Sequence, residues 1–233
     1  LRVDDCMLDG PIARARSWQL GGVKYPTIIC SICGIATVAD GLAAIQEGTS
    51  ASGASLGVDD FGRAVREDFA GSEILRQRCL NTPRFGQDDD RADRHAVRVL
   101  DLVLEEIDRA SRLGTPEEII AFRCMETDMR HLRVGSELGA TPDGRRAGDP
   151  ISENTSPVPG SCRRGPTAMF KSLAKLPFDR INSGALNLRL QPELFANEAG
   201  LTRLATLLRT YFDLGGLQVQ LSVASVEQLR DAQ

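Results

Sequence analysis

Residues 201–230 read LTRLATLLRTYFDLGGLQVQLSVASVEQLR, and the change of period inside that run decides the fold class. Leu201, Leu204, Leu208 and Tyr211 recur every three or four residues, one face of an amphipathic helix over 201–214. Gly215 and Gly216 close it, because glycine takes the left-handed conformation that ends a helix. Beyond them Leu217, Val219, Leu221 and Val223 alternate with Gln218, Gln220 and Ser222, the period of a strand with one buried face. Ser225 then stands three residues before Gln228, the spacing of a capping box, so a second helix opens there. It reaches only to Gln233. A helix so short is marginal by itself, and the chain therefore reads as cut from a longer one.

The same two periods recur upstream. Helices are expected over 35–47, where Ala36, Ala39, Ala43 and Ala44 permit close packing, and over 60–80, with Phe61, Val65, Phe69, Ile74 and Leu75. A third is expected over 88–111, with Val97, Leu100, Leu104 and Ile107 in one stripe. Its opening run Asp88-Asp89-Asp90 lies where the helix dipole favours negative charge. Strands are expected over 25–32, 132–135, 185–190 and 217–224. Residues 139–159 are rich in Gly, Pro, Asp, Asn and Ser, the composition of a long ordered loop, with a turn at Pro142-Asp143-Gly144. Loops of that length inside compact domains are often functional. Strand alternating with helix argues an α/β fold.

Composition narrows the function classes. The 233 residues are 42% hydrophobic and 26% charged, enough for a large core and unlike a disordered, collagen-like or membrane-embedded chain. The longest apolar stretch, 28–45, is broken by Ser31, Gly34, Thr37 and Asp40 and falls short of the roughly 20 residues a spanning helix needs. A net charge of −4 argues against a nucleic-acid surface. No nucleic-acid or membrane partner is expected. The pairs Arg145-Arg146 and Arg163-Arg164 read as solvated turns or salt-bridge donors. Six scattered cysteines and no signal peptide point to reduced thiols and the cytoplasm.

Candidate chemistry is sparse. Cys30-Ser31-Ile32-Cys33 has redox or half-metal-site spacing, but no second pair exists and the run is apolar, so buried structural thiols are expected and no metal site. Gly165 to Ser172 lacks the second glycine of a phosphate loop and carries Pro166, which suits the first turn of a helix. His131 could act as a general acid or base or simply be a hydrogen-bonded structural histidine. Asp88, Asp89 and Asp90 read as a solvated helix start ahead of a cation site.

Four stretches resemble the core domain of glycyl radical enzymes of the pyruvate formate-lyase type. They are Gly34 to Ile45, Phe85 to Asp93, Gly139 to Gly148 continuing through Ser156-Pro157 and Gly165 to Ser172, and Tyr211 to Gln220 closing with Leu229 to Gln233. Their order and spacing also match. The resemblance covers nearly all of residues 1–233 and implies part of a ten-stranded β/α barrel, roughly its C-terminal half-barrel. It places the loop of the thiyl cysteine upstream and the domain of the radical glycine downstream, so Cys6 is not given the radical role and no catalytic residue is expected within the chain.

The resemblance further implies hydrogen-atom abstraction from a small organic substrate, leading to C–C cleavage as in formate acetyltransferases or to dehydration and other C–X cleavage. No bound cofactor is expected. The complete enzyme would carry a glycyl radical installed by a radical S-adenosylmethionine activating enzyme and would be a homodimer. Ser31, His131, Thr141, Pro142 and Gln218 are the candidate pocket residues. Relatives commonly carry Gly-Ile-His-Gly where this chain has Ile29-Cys30-Ser31-Ile32, and histidine and asparagine where it has Gln218 and Ser222, which leaves the subclass open. The competing expectation is a non-catalytic remnant or half-barrel scaffold for a partner chain. The chain by itself is expected to be inactive.

Overall fold

The computed structural model describes residues 2–50, 57–111, 120–125 and 129–231; Ala232 and Gln233, within the fourth matching stretch, lie outside them. Strands β1 (Thr27–Ser31), β2 (Ile120–Met125), β3 (Ser183–Leu190) and β4 (Gln218–Val223) form one sheet in sequence order. Every neighbouring pair is parallel. A parallel neighbour cannot be reached by a tight turn, so each connection is a crossover that carries helices. Between β1 and β2 run α1 (Ile35–Ser50), α2 (Val58–Arg66), α3 (Glu73–Leu80) and α4 (Asp90–Ser111). Between β2 and β3 run α5 (Arg130–Glu137) and α6 (Gly165–Leu173), α7 (Glu198–Asp213) joins β3 to β4, and α8 (Val226–Asp231) follows.

The helices cover one face of the sheet. Met125 of β2 and Leu186 and Leu188 of β3 point into a core with Leu100 and Leu104 of α4, Phe170 and Leu173 of α6 and Tyr211 of α7. Small residues let helices approach: α1 buries Ala36, Ala39, Ala43 and Ala44, α4 buries Ala92 and Ala96, and the two pack together. The opposite face is partly open, with Ile29 65% and Ile120 47% exposed, while Cys124 and Ala185 on it are buried.

The periodic segments formed as expected: α1, α4, α7, β1, β3 and β4 fall within a few residues of the predicted spans. The capping box is present, with Gln228 N–H donating to Ser225 Oγ at 3.1 Å and Ser225 N–H donating to Gln228 Oε1 at 2.8 Å. Two expectations are corrected, and one strand was not foreseen. The single helix over 60–80 is two, α2 and α3, separated by Asp68 and Phe69 at φ of 52° and 59°. The turn drives the Phe69 ring into a small core with Ala44, Phe61, Ala64 and Cys79. Burying a phenyl ring contributes about 1.5–3 kcal/mol, comparable to the left-handed backbone's cost. The predicted strand over 132–135 is helix α5, a short apolar run whose period could not decide the matter. The strand β2 went unpredicted because Arg123 interrupts it; its guanidinium is paired with Asp108 of α4.

A buried ionic clamp ties the first crossover to the long loop. Arg84 Nη1 lies 3.1 Å from Asp40 Oδ2 of α1 and 3.6 Å from Asp143 Oδ2, and Phe85 N–H donates to Asp40 Oδ1 at 2.7 Å. Asp40 is 0% exposed, and burial pushes its carboxyl up to about 7 against the pull of Arg84. Next to the clamp, Gly86 adopts φ +92°, and a Cβ there would sit 2.4 Å from Pro157 Cγ.

Two outcomes follow from these contacts. The folded state holds the Asp40 proton more tightly than the unfolded chain, so its contribution to stability is full near pH 4 and is lost as pH rises to about 7. The Asp40→Asn variant should flatten that fall, at most about 1.4 kcal/mol per pH unit, in urea titrations across the range. Gly86→Ala should cost about 2–4 kcal/mol by the same measurement, combining left-handed strain with an overpacked contact against proline.

Candidate functional site

Strand β3 outruns its neighbour, and a site forms where it does. Among the described residues β2 pairs with β3 at Cys124↔Ser183 and Met125↔Gly184 alone. Beyond that point the long loop takes the place of a strand. Thr155 N–H donates to Ala185 O at 3.1 Å and Thr155 Oγ1 donates to the same oxygen at 2.6 Å. Asn187 N–H donates to Ser156 Oγ at 3.0 Å, and Ser156 Oγ donates to Asn154 Oδ1 at 2.6 Å. Asn154 sits at φ 35°, a conformation its short polar side chain tolerates.

This loop presents Glu153 between two partners. Asn187 Nδ2 donates to Glu153 Oε1, and His131 Nε2 lies 3.3 Å from Glu153 Oε2. Both side chains of the His131–Glu153 pair are about 15% exposed (15% and 14%), shielded but not sealed. Helix α5 delivers the histidine because Gly135 lets it lie on the loop; a Cβ there would meet Asp149 O at 2.5 Å. The loop returns a bond, Ile151 N–H to His131 O at 3.3 Å.

These groups line a cleft of about 500 Å³ at the C-terminal end of β3, with Arg189 beside them and Pro157, Val158, Met169 and Leu190 as apolar walls. Ligands of parallel sheets bind at the carboxyl ends of the strands. A shielded carboxylate–imidazole pair can take up or release a proton, and Asn187 can orient an oxygen. Among the described residues no group of three or more potential metal ligands occurs.

His131 is thus the one sequence-predicted pocket residue that lines this cleft. Ser31 ends β1 and Gln218 begins β4, and both lie on the helix-free face, since Ser31 is level with Cys124 and Ser183 while Gln218 pairs with Ala185. Three strand spacings separate them by roughly 14 Å across the sheet. Thr141 and Pro142 lie elsewhere. Thr141 Oγ1 donates to the Asp143 carboxylate and accepts from Arg145 Nε at 3.2 Å, while Pro142 faces Gly41 of α1. They hold the turn of the buried clamp.

Glu153, Ser156, Asn187 and Arg189 were not singled out from sequence. The available signals were the composition of the 139–159 loop and the alternation along β3. The remaining candidates are structural. All six cysteines lie outside any disulfide, with Cys30 and Cys33 half-buried instead of buried. Lys175 Nζ reaches Asp88, Asp90 and Asp93 at 3.1, 2.7 and 2.6 Å, so a lysine neutralises the acidic start of α4.

Comparison with known proteins places the chain. Residues 2–119 match the family model described as pyruvate formate lyase-like, and residues 151–233 match the one described as glycine radical. The chain is 35% identical over 238 residues to the probable dehydratase YbiW of Escherichia coli (strain K12), covering 99% of this chain and 29% of that protein. It is 31% identical over 235 residues to trans-4-hydroxy-L-proline dehydratase of Clostridioides difficile, covering 99% of this chain and 28% of that one. The glycerol-bound B12-independent glycerol dehydratase from Clostridium butyricum superposes with a TM-score of 0.87 at 29% identity, over 98% of this chain and 29% of that chain. The chain therefore spans under a third of the length of the relatives it matches.

Ser156 is the hinge of the cleft's hydrogen bonding. Ser156→Ala removes the acceptor of the Asn187 amide and should cost about 1–3 kcal/mol. Hydrogen exchange at the Asn187 amide should accelerate ahead of the other β3 amides.

Proposed function

The chain belongs to the pyruvate formate lyase-like glycyl radical enzymes, and we propose that it forms part of the chamber wall of an enzyme that removes water from a small hydroxylated substrate. The observation that carries the reading is the His131–Glu153–Asn187 cluster at the open end of β3. A hydroxyl next to a carbon radical leaves as water only if it receives a proton. A carboxyl–imidazole pair supplies one, and the proton released by the neighbouring hydroxyl or amine returns to the pair as the carbonyl or imine forms. Cleavage of a C–C bond beside a carbonyl needs no such acid. The names of the relatives matched over 99% of the chain, both dehydratases, support the same side.

The radical itself supplies the hydrogen-atom abstraction. We assign the thiyl cysteine and the radical glycine to the remainder of the protein, with a radical S-adenosylmethionine activating enzyme as its source and a homodimeric, cytoplasmic, anaerobic enzyme as the complete form. No helix among the described residues is long and apolar enough to cross a membrane. Within the chain, the open sheet face and the apolar walls of the cleft would exclude water from the reacting carbon.

The full-length protein, activated anaerobically, should show a glycyl radical by electron spin resonance and should dehydrate a hydroxylated substrate among glycerol, 1,2-propanediol and trans-4-hydroxy-L-proline. Glu153→Gln should retain the radical and lower kcat about 10²–10⁴-fold, the usual size of an acid–base contribution. Cleavage of pyruvate with coenzyme A at an unchanged rate in Glu153→Gln would place the enzyme among the C–C lyases. The absence of any radical would favour a scaffold.

A further inference from the structure

Arg189 lies on β3 two residues beyond Asn187, so the two side chains leave the strand on the same side. That side is the helix-free one, because Leu186 and Leu188 occupy the helix-covered core. Arg189 is exposed and lines the same cleft as His131 and Glu153, and its guanidinium has no hydrogen bond or ion pair among the described residues. The other strand arginine, Arg123, is neutralised by Asp108, and the buried Arg84 by Asp40. The nearby Glu153 carboxylate is held by Asn187 on one oxygen and faces His131 with the other.

On the reading that this face lines a closed, water-poor chamber, a guanidinium is stable there only where an anion meets it. Guanidinium presents its N–H groups as a planar fork that matches a carboxylate with two parallel hydrogen bonds. We propose that Arg189 is the anion-recognition residue of the cleft and that the substrate is a hydroxy acid, its carboxylate on Arg189 and its departing hydroxyl on the Asn187–Glu153–His131 side. Arg189 then sets specificity by separating hydroxy acids from neutral diols of the same size. It takes no part in bond breaking.

The test is binding to the full-length, unactivated protein by calorimetry, using two matched pairs: glycerate against glycerol, and trans-4-hydroxy-L-proline against its amide. At least one acid should bind about tenfold or more tighter than its neutral partner, the size expected for one charge-assisted pair. Arg189→Gln should remove that preference while leaving the neutral partner's affinity and the melting temperature unchanged, and Arg189→Lys should restore part of it. An acid preference that survives in Arg189→Gln, neutral ligands that bind tighter than both acids, or no binding by either acid would overturn the proposal. A loss of stability in Arg189→Gln would also overturn it, because the arginine would then be paired within the protein. Dehydration of neutral diols with Arg189→Gln fully active would sink the anion site while leaving the dehydratase reading intact.

Discussion

Parallel strands impose the constraint on which the rest of this structure depends. Each of the three strand pairs is parallel, so the chain must travel the length of the sheet between strands, and it does so as helices. Helices α1, α4, α6 and α7 bury against Met125, Leu186, Leu188 and their neighbours, which commits one face to the core. Sheets of this kind ordinarily have both faces covered. Here the second face carries Ile29 and Phe122 on its β1–β2 half and Asn187, Arg189, Gln218 and Gln220 on its β3–β4 half. A surface divided in that way suits the interior of a barrel wall, where it meets substrate on one side and packing on the other.

The second element is a loop stiff enough to act as scaffold. Arg145 is 7% exposed and donates to the carbonyls of Gly139 and Asp149, while Arg84 joins Asp40 to Asp143 beneath it. Buried guanidinium groups with satisfied donors hold irregular backbone in one arrangement, though their net contribution to stability is small. The consequence is local. Downstream of the clamp the same loop runs beside β3 and fixes Glu153 between His131 and Asn187, so the proposed acid–base pair rests on a rigid strand and a pinned segment. Rigid support of this sort is what a proton-transferring group needs.

Much of the fold was legible because burial is one-sided. Helix α4 and strand β3 show a clean period because one face meets the core and the other does not. Strand β4 has the alternation without the burial, with Leu221 and Val223 of its expected buried face 40% and 53% exposed. The failures have a common cause in tertiary contacts that local pattern does not encode. Phe69 breaks a helix to reach a distant alanine cluster, and Arg123 disguises β2 because its partner Asp108 lies on another element. The site was less legible still. His131 stood out as one of two histidines, but Glu153 is one of many acidic residues and acquires meaning only when the loop sets it against Asn187. Thr141 and Pro142, in the most family-like motif, turn out to brace the clamp.

The central claim is that the helix-free face at the end of β3 meets the substrate. The most direct measurement is a crystal structure of the complete protein with its substrate bound. The account predicts substrate within hydrogen-bonding distance of the Glu153 carboxylate or the Asn187 amide, on the face shared with Arg189. Substrate held elsewhere, with this face filled by packed helices or the His131–Glu153 pair sealed from the chamber, would contradict it.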